Sequence, residues 1–210
     1  MLKSALTYPL LVTCATIAVI VAFVPFADLD QVSGLAVVAF AVLGFTAYQL
    51  GLAVGVLPSG LVGTGPVGGR RVRQQHRLVS RSWLEITRGD RMVWQPVFYD
   101  PALSALTPTE LELTGRAILA GDTRFYPAGR VRTTEPAGRL VDNPSRPTDP
   151  PTFGIARRLI LDVQPAVAAP LAGLLWVYVT NDDLGGFVGS TTVAATTFTW
   201  LSAIRGSDPS

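Results

Sequence analysis

Four long apolar runs, two near each end of the chain, constrain this sequence more than any other feature. The first, Leu6 to Phe26, has no charged side chain, and its length at 1.5 Å per residue matches a hydrocarbon core of about 30 Å. The second, Gly34 to Leu57, is also uncharged and ends at Pro58, which disfavours further helix. Both runs predict transmembrane helices. A secretory signal is less favoured, because its apolar region would be only about 7–15 residues long.

Two further apolar runs follow near the other end of the chain. The third extends from about Leu159 to Thr180 and is interrupted by Asp162 and two prolines, so we expect a kinked or partly interfacial first turn. The fourth, Leu184 to Ile204, is rich in Thr, Ser and Gly. We therefore predict an α-helical polytopic membrane protein with four transmembrane helices, arranged as two hairpins in residues 1–58 and 157–210.

The composition is typical of a membrane protein with a small water-exposed part. Charged residues make up only 15% of the chain, against about 25% in soluble domains. The single cysteine, Cys14, lies within an apolar run, which excludes a disulfide framework within this chain. Lys3 is the only lysine, and abundant Ala, Gly, Pro and Arg indicate a GC-rich coding sequence of the actinobacterial kind.

Arginines are unevenly distributed between the segments that connect the runs. The long connection after the second run is rich in arginine, and Arg157 and Arg158 precede the third run. The two short loops have no basic residue and contain four acids: Asp28, Asp30, Asp182 and Asp183. By the positive-inside rule the long connection is cytoplasmic. Lys3 and Arg205 place both termini on that side of the plasma membrane.

Residues 59–77 are rich in glycine and arginine and are predicted to be a flexible linker. They include Gly63-x-Gly65-x-x-Gly68, which is the spacing of a dinucleotide-binding turn. That spacing is informative only between a strand and a helix. Here it follows a predicted span, so the linker interpretation is favoured.

Residues 78–156 are predicted to form a small, mainly β cytoplasmic domain between helices two and three, with an irregular return segment. A hairpin is indicated by β-rich runs on either side of Gly89-Asp90. Pro96 places the second strand of this hairpin at an edge or a bulge. Further short runs bring the expected number of strands to between four and six.

Small residues on spans two and four form candidate faces for helix packing or for binding a partner, because they allow helix backbones to approach closely. Packing within the chain and binding to other integral membrane subunits are equally compatible with this pattern. The candidates are Gly51, Gly55, Gly185, Gly189, Ser190 and Thr197.

A basic stretch follows the second span and contains His76, the only histidine. Such a stretch is chemically suited to anionic lipids, to an anionic partner or, with less support, to nucleic acid. The favoured interpretation is a topology determinant just past a span, and a lone histidine does not indicate a metal site. The candidates for a membrane-surface or anionic-partner role are Arg70, Arg71, Arg73, Arg77 and Arg81.

Asp162 is the only carboxylate inside a predicted span, and intramembrane acids are often functional. Arg158 lies one turn earlier, so an ion pair at the i, i+4 spacing is favoured over a proton relay. No set of catalytic residues is recognisable. We therefore predict that the protein is not an enzyme and has no cofactor or metal.

The chain resembles small actinobacterial membrane proteins with four spans. The resemblance covers the general plan, in which the connection carries Arg88-Gly-Asp-Arg-Met-Val-Trp-Gln-Pro-Val-Phe-Tyr-Asp-Pro101. Some such proteins are accessory subunits of the respiratory supercomplex that joins a cytochrome bc complex to cytochrome c oxidase. The resemblance implies a partner-binding subunit without haem or copper ligands of its own.

The leading hypothesis is a non-catalytic accessory or assembly subunit of a larger inner-membrane complex, with the respiratory supercomplex as the candidate complex. The alternative is a membrane-anchored regulator whose cytoplasmic β-domain binds a soluble protein or an anionic ligand through its arginines.

Overall fold

The computed structural model describes residues 4–61, 63–106, 108–114, 117–142 and 152–210. Helices lie at both ends of the chain, and a β half-barrel lies between them. Lys3, Arg116 and part of the predicted return segment, residues 143–151, lie outside the described residues.

The first two helices form a hairpin whose turn is defined by local capping. α1 spans Ser4–Phe23 and is followed by a 3₁₀ turn, Val24–Phe26; α2 spans Leu29–Val54. Asp28 caps α2 in a reciprocal capping box with Gln31, which satisfies backbone N–H groups that a helix start leaves open.

The second helical pair begins with an interrupted span, as the prolines predicted. α4 spans Ile155–Asp162, a 3₁₀ turn covers Gln164–Ala168, α5 spans Ala169–Thr180 and α6 spans Leu184–Ile204. Asp183 caps the start of α6 by accepting hydrogen bonds from the next turn. A methyl group at Gly173 would overlap Thr191, so Gly173 allows α5 and α6 to pack closely.

Three of the four predicted spans are long and apolar enough to cross a membrane: Ala5–Phe26, Leu29–Val54 and Ile155–Thr180. α6 has 21 residues but is not among them, because its serines, threonines and glycines lower its hydropathy. Many of its hydroxyls donate to carbonyls of the same helix, as Thr197 does to Val193, which reduces the cost of placing them in an apolar environment.

Seven strands, all paired antiparallel, form the half-barrel in the described part of the chain. They are β1 Thr64–His76, β2 Val79–Arg88, β3 Arg91–Val97, β4 Thr109–Thr114, β5 Ala117–Ala120, β6 Thr123–Phe125 and β7 Arg139–Asp142. The order is β3-β2-β1-β4-β5-β6, and β7 pairs with β1. A short helix, α3 (Ala102–Ala105), follows β3.

The predicted hairpin is confirmed as β2 and β3, with Arg88 opposite Arg91 around the turn. Pro96 lies in β3, at the end of the strand order, where a missing N–H is tolerated. The segment after β6 bridges back to β3 at Val97–Pro127 and Trp94–Arg132. These bridges narrow the open side of the half-barrel.

The linker prediction for residues 59–77 is wrong over Thr64–His76, because this segment is β1, the central strand of the sheet. Its first half pairs with β4, its second half pairs with β7, and β2 pairs along most of the other edge. Backbone hydrogen bonds on both edges offset the low strand propensity of its glycines.

The half-barrel core contains Leu84, Ile86, Val97, Leu103, Leu106, Leu111, Leu113, Ile118 and Phe125. A second cluster joins this domain to the helix ends: Ala5, Leu6, Ala53, Phe98, Tyr126 and Ala128. The half-barrel therefore packs directly against the start of α1 and the end of α2.

We predict that Gly69→Ala destabilises the protein by about 1–3 kcal/mol, the usual cost of overpacking. A methyl group at Gly69 would overlap the Leu111 side chain in the half-barrel core. The neighbouring Gly68→Ala is the matched control, because the nearest atom there is Cβ of Thr87 at 4.0 Å. Thermal unfolding of the two variants in detergent measures the difference, and equal melting temperatures would contradict the prediction.

Candidate functional site

The residues after α6 fold back onto the half-barrel. Gly206 has a φ of 80°, a left-handed conformation that favours glycine, and it precedes the returning residues. Ser207 then forms an antiparallel bridge with Arg81, and the Asp208 N–H donates to the Ser80 carbonyl at 2.9 Å. We call residues 206–210 the returning segment. It extends the sheet along β2, beyond the end of β3.

The returning segment carries a buried ion pair into the half-barrel. Arg71 Nη2 and Asp208 Oδ2 are 2.6 Å apart, and their side chains are 3% and 0% exposed. Ser82 Oγ donates to the same carboxylate at 2.5 Å. Ser210 donates to its other oxygen from both the backbone and the side chain. A buried pair with these additional hydrogen bonds is well compensated for loss of water.

The environment of Asp208 holds the pKa of its carboxyl group below the usual range. Burial by itself would raise this pKa, but the charge of Arg71 and the hydrogen bonds from Ser210 and Ser82 outweigh burial. Asp208 is therefore ionised at neutral pH. It links the helical part of the chain to the sheet through charge as well as packing.

We predict that this carboxylate makes stability dependent on pH in the acidic range. Because its folded-state pKa is lowered, its contribution is fully present above the ordinary aspartate pKa of about 3.9 and is lost as the pH falls through the folded value. Melting temperatures of the wild type and of Asp208→Asn should therefore converge below about pH 4. A difference that stayed constant down to pH 2.5 would contradict this assignment.

Asp162 is satisfied by hydroxyl groups rather than by the predicted ion pair with Arg158. Tyr8 donates to Oδ2 at 2.6 Å, Ser207 to Oδ2 at 2.9 Å and Ser202 to Oδ1 at 2.8 Å. These donors come from α1, the returning segment and α6. The carboxylate is 1% exposed, so it connects three segments from within the interface.

Arg158 stacks on aromatic rings instead of pairing with Asp162. Its guanidinium carbon lies 4.1 Å from the Tyr8 ring centre and 5.7 Å from that of Tyr99, within the range of cation–π attraction. Tyr99 follows β3, so this stacking is a further contact between the helices and the half-barrel. The prediction of an i, i+4 pair overlooked the aromatic partners, which lie far away in sequence.

The five arginines predicted to bind an anionic surface do not form one exposed face. Arg71 is buried, and Arg73 donates to the Ser210 carbonyl. Arg70 belongs to the opposite face of β1, where its two nitrogens contact Glu85 at 2.8 and 2.9 Å. Successive residues of a strand alternate between faces, so a run of arginines in sequence becomes two separate sets.

The remaining two arginines differ sharply from each other. Burial, together with the nearby charges of Arg205 and Arg132, lowers the pKa of Arg81 to about 10. Arg77 lies in the turn between β1 and β2, with a φ of 52°, and it is exposed, whereas the partly exposed Arg70 is paired with Glu85. The five arginines therefore do not supply the continuous basic surface that the sequence indicated.

The two glycines predicted to form a packing face on span two have a local role. Gly55 ends α2 in the left-handed conformation, with a φ of 84°. A methyl group at Gly51 would meet Leu57, whose N–H donates to the Gly51 carbonyl at 2.9 Å. These glycines allow the chain to turn back at the helix end. Partner binding by this pair stays a prediction.

The four predicted residues of α6 share one environment. Gly185, Gly189, Ser190 and Thr197 all line a cavity of about 750 Å³. The cavity is bounded by α1, α2, α5 and α6, at the end of the bundle farthest from the half-barrel. Their role in helix packing or in binding a partner stays a prediction. The sequence could not show that this face borders a cavity rather than another helix.

A search of the described residues for a metal centre finds none. No group of three or more His, Cys, Asp or Glu among them is placed to hold a metal ion. Cys14 is exposed on α1. The buried polar groups of the interface are used in contacts with one another, so the arrangement is suited to fixing segments together.

No protein-family model, no curated protein and no solved structure matches this chain. The fold nevertheless shows the general class of the protein. It is a membrane protein with apolar helices long enough to span a bilayer and with a β half-barrel between its helical parts.

Proposed function

We propose that the protein is a non-catalytic accessory or assembly subunit of a larger plasma-membrane complex, in which the half-barrel serves as a rigid docking platform. The observation that carries the proposal is the buried ion pair of Arg71 and Asp208. It holds the segment after the last helix inside the half-barrel. A platform fixed in this way presents its outer surface to a partner without a large cost for ordering it.

The Asp162 contacts add to this rigidity. Hydroxyls from α1, α6 and the returning segment converge on one carboxylate, and Arg158 stacks against Tyr8 and Tyr99. The charged groups that could serve chemistry in this region therefore face one another. This use of polar groups favours a structural subunit over an enzyme.

In the proposed topology all four long helical segments cross the plasma membrane, with both termini and the half-barrel in the cytoplasm. α6 is long enough at 21 residues and packs between α1 and α5, and many of its hydroxyls donate to carbonyls of the same helix. Both of its ends have contacts consistent with a crossing: Asp182, just before α6, accepts from Gln31, and Trp200 donates to Thr46.

Cysteine labelling tests this topology, with Cys14→Ser as the background. Cysteines at Asp30 and Asp183 should react with a membrane-impermeant thiol reagent in intact cells, whereas a cysteine at Arg124 should react only after lysis. Labelling at Arg124 in intact cells would overturn the topology. Labelling of a cysteine at the exposed Arg205 in intact cells would remove α6 as a span, because the end of α6 would then lie outside the cell.

The subunit proposal is tested by size in a mild detergent. The 22.3 kDa chain extracted from its own membranes should migrate with a much larger assembly, whose members mass spectrometry identifies. The respiratory supercomplex implied by the sequence resemblance is the first assembly to examine. Asp208→Asn should stay in the membrane but leave the assembly, and the exposed Asp142→Asn should remain in it. A wild-type chain that migrates alone would contradict the proposal.

The alternative of a regulator that binds an anionic ligand has less support. It required a continuous arginine surface, and the structure divides these side chains between two faces and buries Arg71. Loss of partners on Arg77→Gln, with Asp208→Asn retaining them, would reverse this preference.

A further inference from the structure

The cavity beside α6 has a size and a chemistry that indicate a ligand. We propose that it binds an amphiphile with an alkyl chain and a cationic amine head group. The chain would lie between the helices, and the amine would lie at the end farthest from the half-barrel. This site is separate from the half-barrel contacts on which the proposed function rests.

The length of the cavity fits an extended alkyl chain. Its lining on α6 extends from Gly185 to Phe198, about 20 Å at 1.5 Å per residue. The cavity length of about 20 Å is comparable with the thickness of the hydrocarbon of one bilayer leaflet, about 15 Å.

The cavity wall is apolar where the chain would lie. Leu35, Val38, Val193, Ala194 and Phe198 contribute hydrocarbon surface. Two wall hydroxyls are satisfied within α6 itself: Ser190 donates to the Gly186 carbonyl and Thr197 to that of Val193. These hydroxyls therefore do not require a polar ligand, and burial of hydrocarbon supplies the binding energy.

The end of the cavity near the short loops is acidic. Asp28, Asp182 and Asp183 line it together with Gln31, and the lining contains no lysine, arginine or histidine. Each carboxylate accepts a local hydrogen bond, but its negative charge remains. A phosphate or carboxylate head group alone would be repelled here, whereas an ammonium group would be attracted.

Aromatic rings at the same end add to the preference for an amine. Phe23, Phe26 and Trp176 line the cavity next to the acidic residues, and ring faces attract ammonium groups. Gly34 creates room for the Trp176 ring, since a methyl group there would meet it at 2.5 Å. Carboxylates and aromatic rings around one cavity mouth thus select the same head group.

Trp176 provides a reporter of occupancy. The purified full-length protein in a maltoside detergent would be titrated with an octadecylamine that carries a nitroxide on its alkyl chain. The quenching of tryptophan fluorescence would be recorded. The protein has four tryptophans. The same titration of Trp176→Phe therefore shows how much of the quenching comes from the tryptophan in the cavity. We expect saturable quenching by the amine at about tenfold lower concentration than by the matched labelled stearate, which corresponds to about 1.4 kcal/mol.

Two sets of variants test the alkyl-chain part and the head-group part of the proposed binding site separately. Gly189→Leu should remove most of the saturable quenching, because its side chain projects toward Phe23 and into the cavity. Gly44→Leu is the matched control, since a side chain there meets nothing within 4 Å. The triple replacement of Asp28, Asp182 and Asp183 by Asn retains capping ability and should make the amine and stearate affinities equal.

Three outcomes would overturn the proposal. Equal affinity of the wild type for the amine and for stearate would exclude selection of the amine head group. The absence of a saturable Trp176 signal would exclude a binding site for the alkyl chain. Equal effects of Gly189→Leu and Gly44→Leu would place the bound chain outside the cavity. Assembly into a large complex, measured separately by size in detergent, does not depend on any of these results. The failure of this inference and the failure of the proposed function are therefore distinguishable.

Discussion

Asp208→Asn is expected to lower the free energy of unfolding by about 3–5 kcal/mol, the cost of leaving one member of a buried ion pair without its partner. Arg71 is 3% exposed, so its charge cannot be recovered by water without opening the half-barrel. Asparagine keeps only one carbonyl oxygen, so the hydrogen bonds from Ser82 or those from Ser210 are lost together with the charge. Chemical or thermal unfolding in detergent measures the effect.

The exposed pair of Arg70 and Asp142 provides the matched control for this substitution. Its atoms are 3.4 Å apart and the Asp142 side chain is 69% exposed. Asp142→Asn should therefore change stability by only about 0–1 kcal/mol. If the two aspartate variants were equally stable, the Arg71–Asp208 pair would not hold the returning segment in place.

Asp162→Ala is expected to destabilise the junction of helices and half-barrel by about 3 kcal/mol or more. It removes the acceptor of three hydroxyls, from Tyr8, Ser202 and Ser207. A buried polar group without a partner costs about 1–3 kcal/mol, although some of these hydroxyls can turn to backbone carbonyls. Thermal unfolding of the variant in detergent gives the magnitude.

Asp162→Asn distinguishes this structural role from proton transfer. Asparagine has one carbonyl oxygen that can still accept hydrogen bonds, so most of the stability should return. A proton relay would instead need the titratable carboxyl and would tolerate neither substitution. Stability restored by asparagine, with assembly also restored, fits the structural role; restored stability without restored function would favour the relay.

The elements that the sequence revealed are those determined by local chemistry. Uncharged runs over α1 and α2, a proline break before α5 and the Gly89-Asp90 turn each depend on residues close together in the chain. The strand β1 was missed for the opposite reason. Its glycines and arginines have no local strand signal, and it becomes a strand because partners exist on both edges.

The polar contacts of the interface could not be predicted from spacing. Tyr8 and Asp162 are 154 residues apart, and Arg71 and Asp208 are 137 apart. No periodicity of a single helix or strand relates such positions. The α6 face was recognisable because Gly185 and Gly189 are one turn apart, but the width of the space beside them depends on three other helices.

The position of Asp208 after α6 has a consequence for biogenesis. Its partner Arg71 leaves the ribosome 137 residues earlier, which is about 7–27 s at a synthesis rate of about 5–20 residues per second. During that interval the half-barrel must keep Arg71 hydrated or remain partly open. It closes only when α6 has been made and its end has returned to the side of the half-barrel. Closure of the half-barrel around Arg71 thus depends on the completion of α6, and the last part of the chain to be made determines when the central domain is finished.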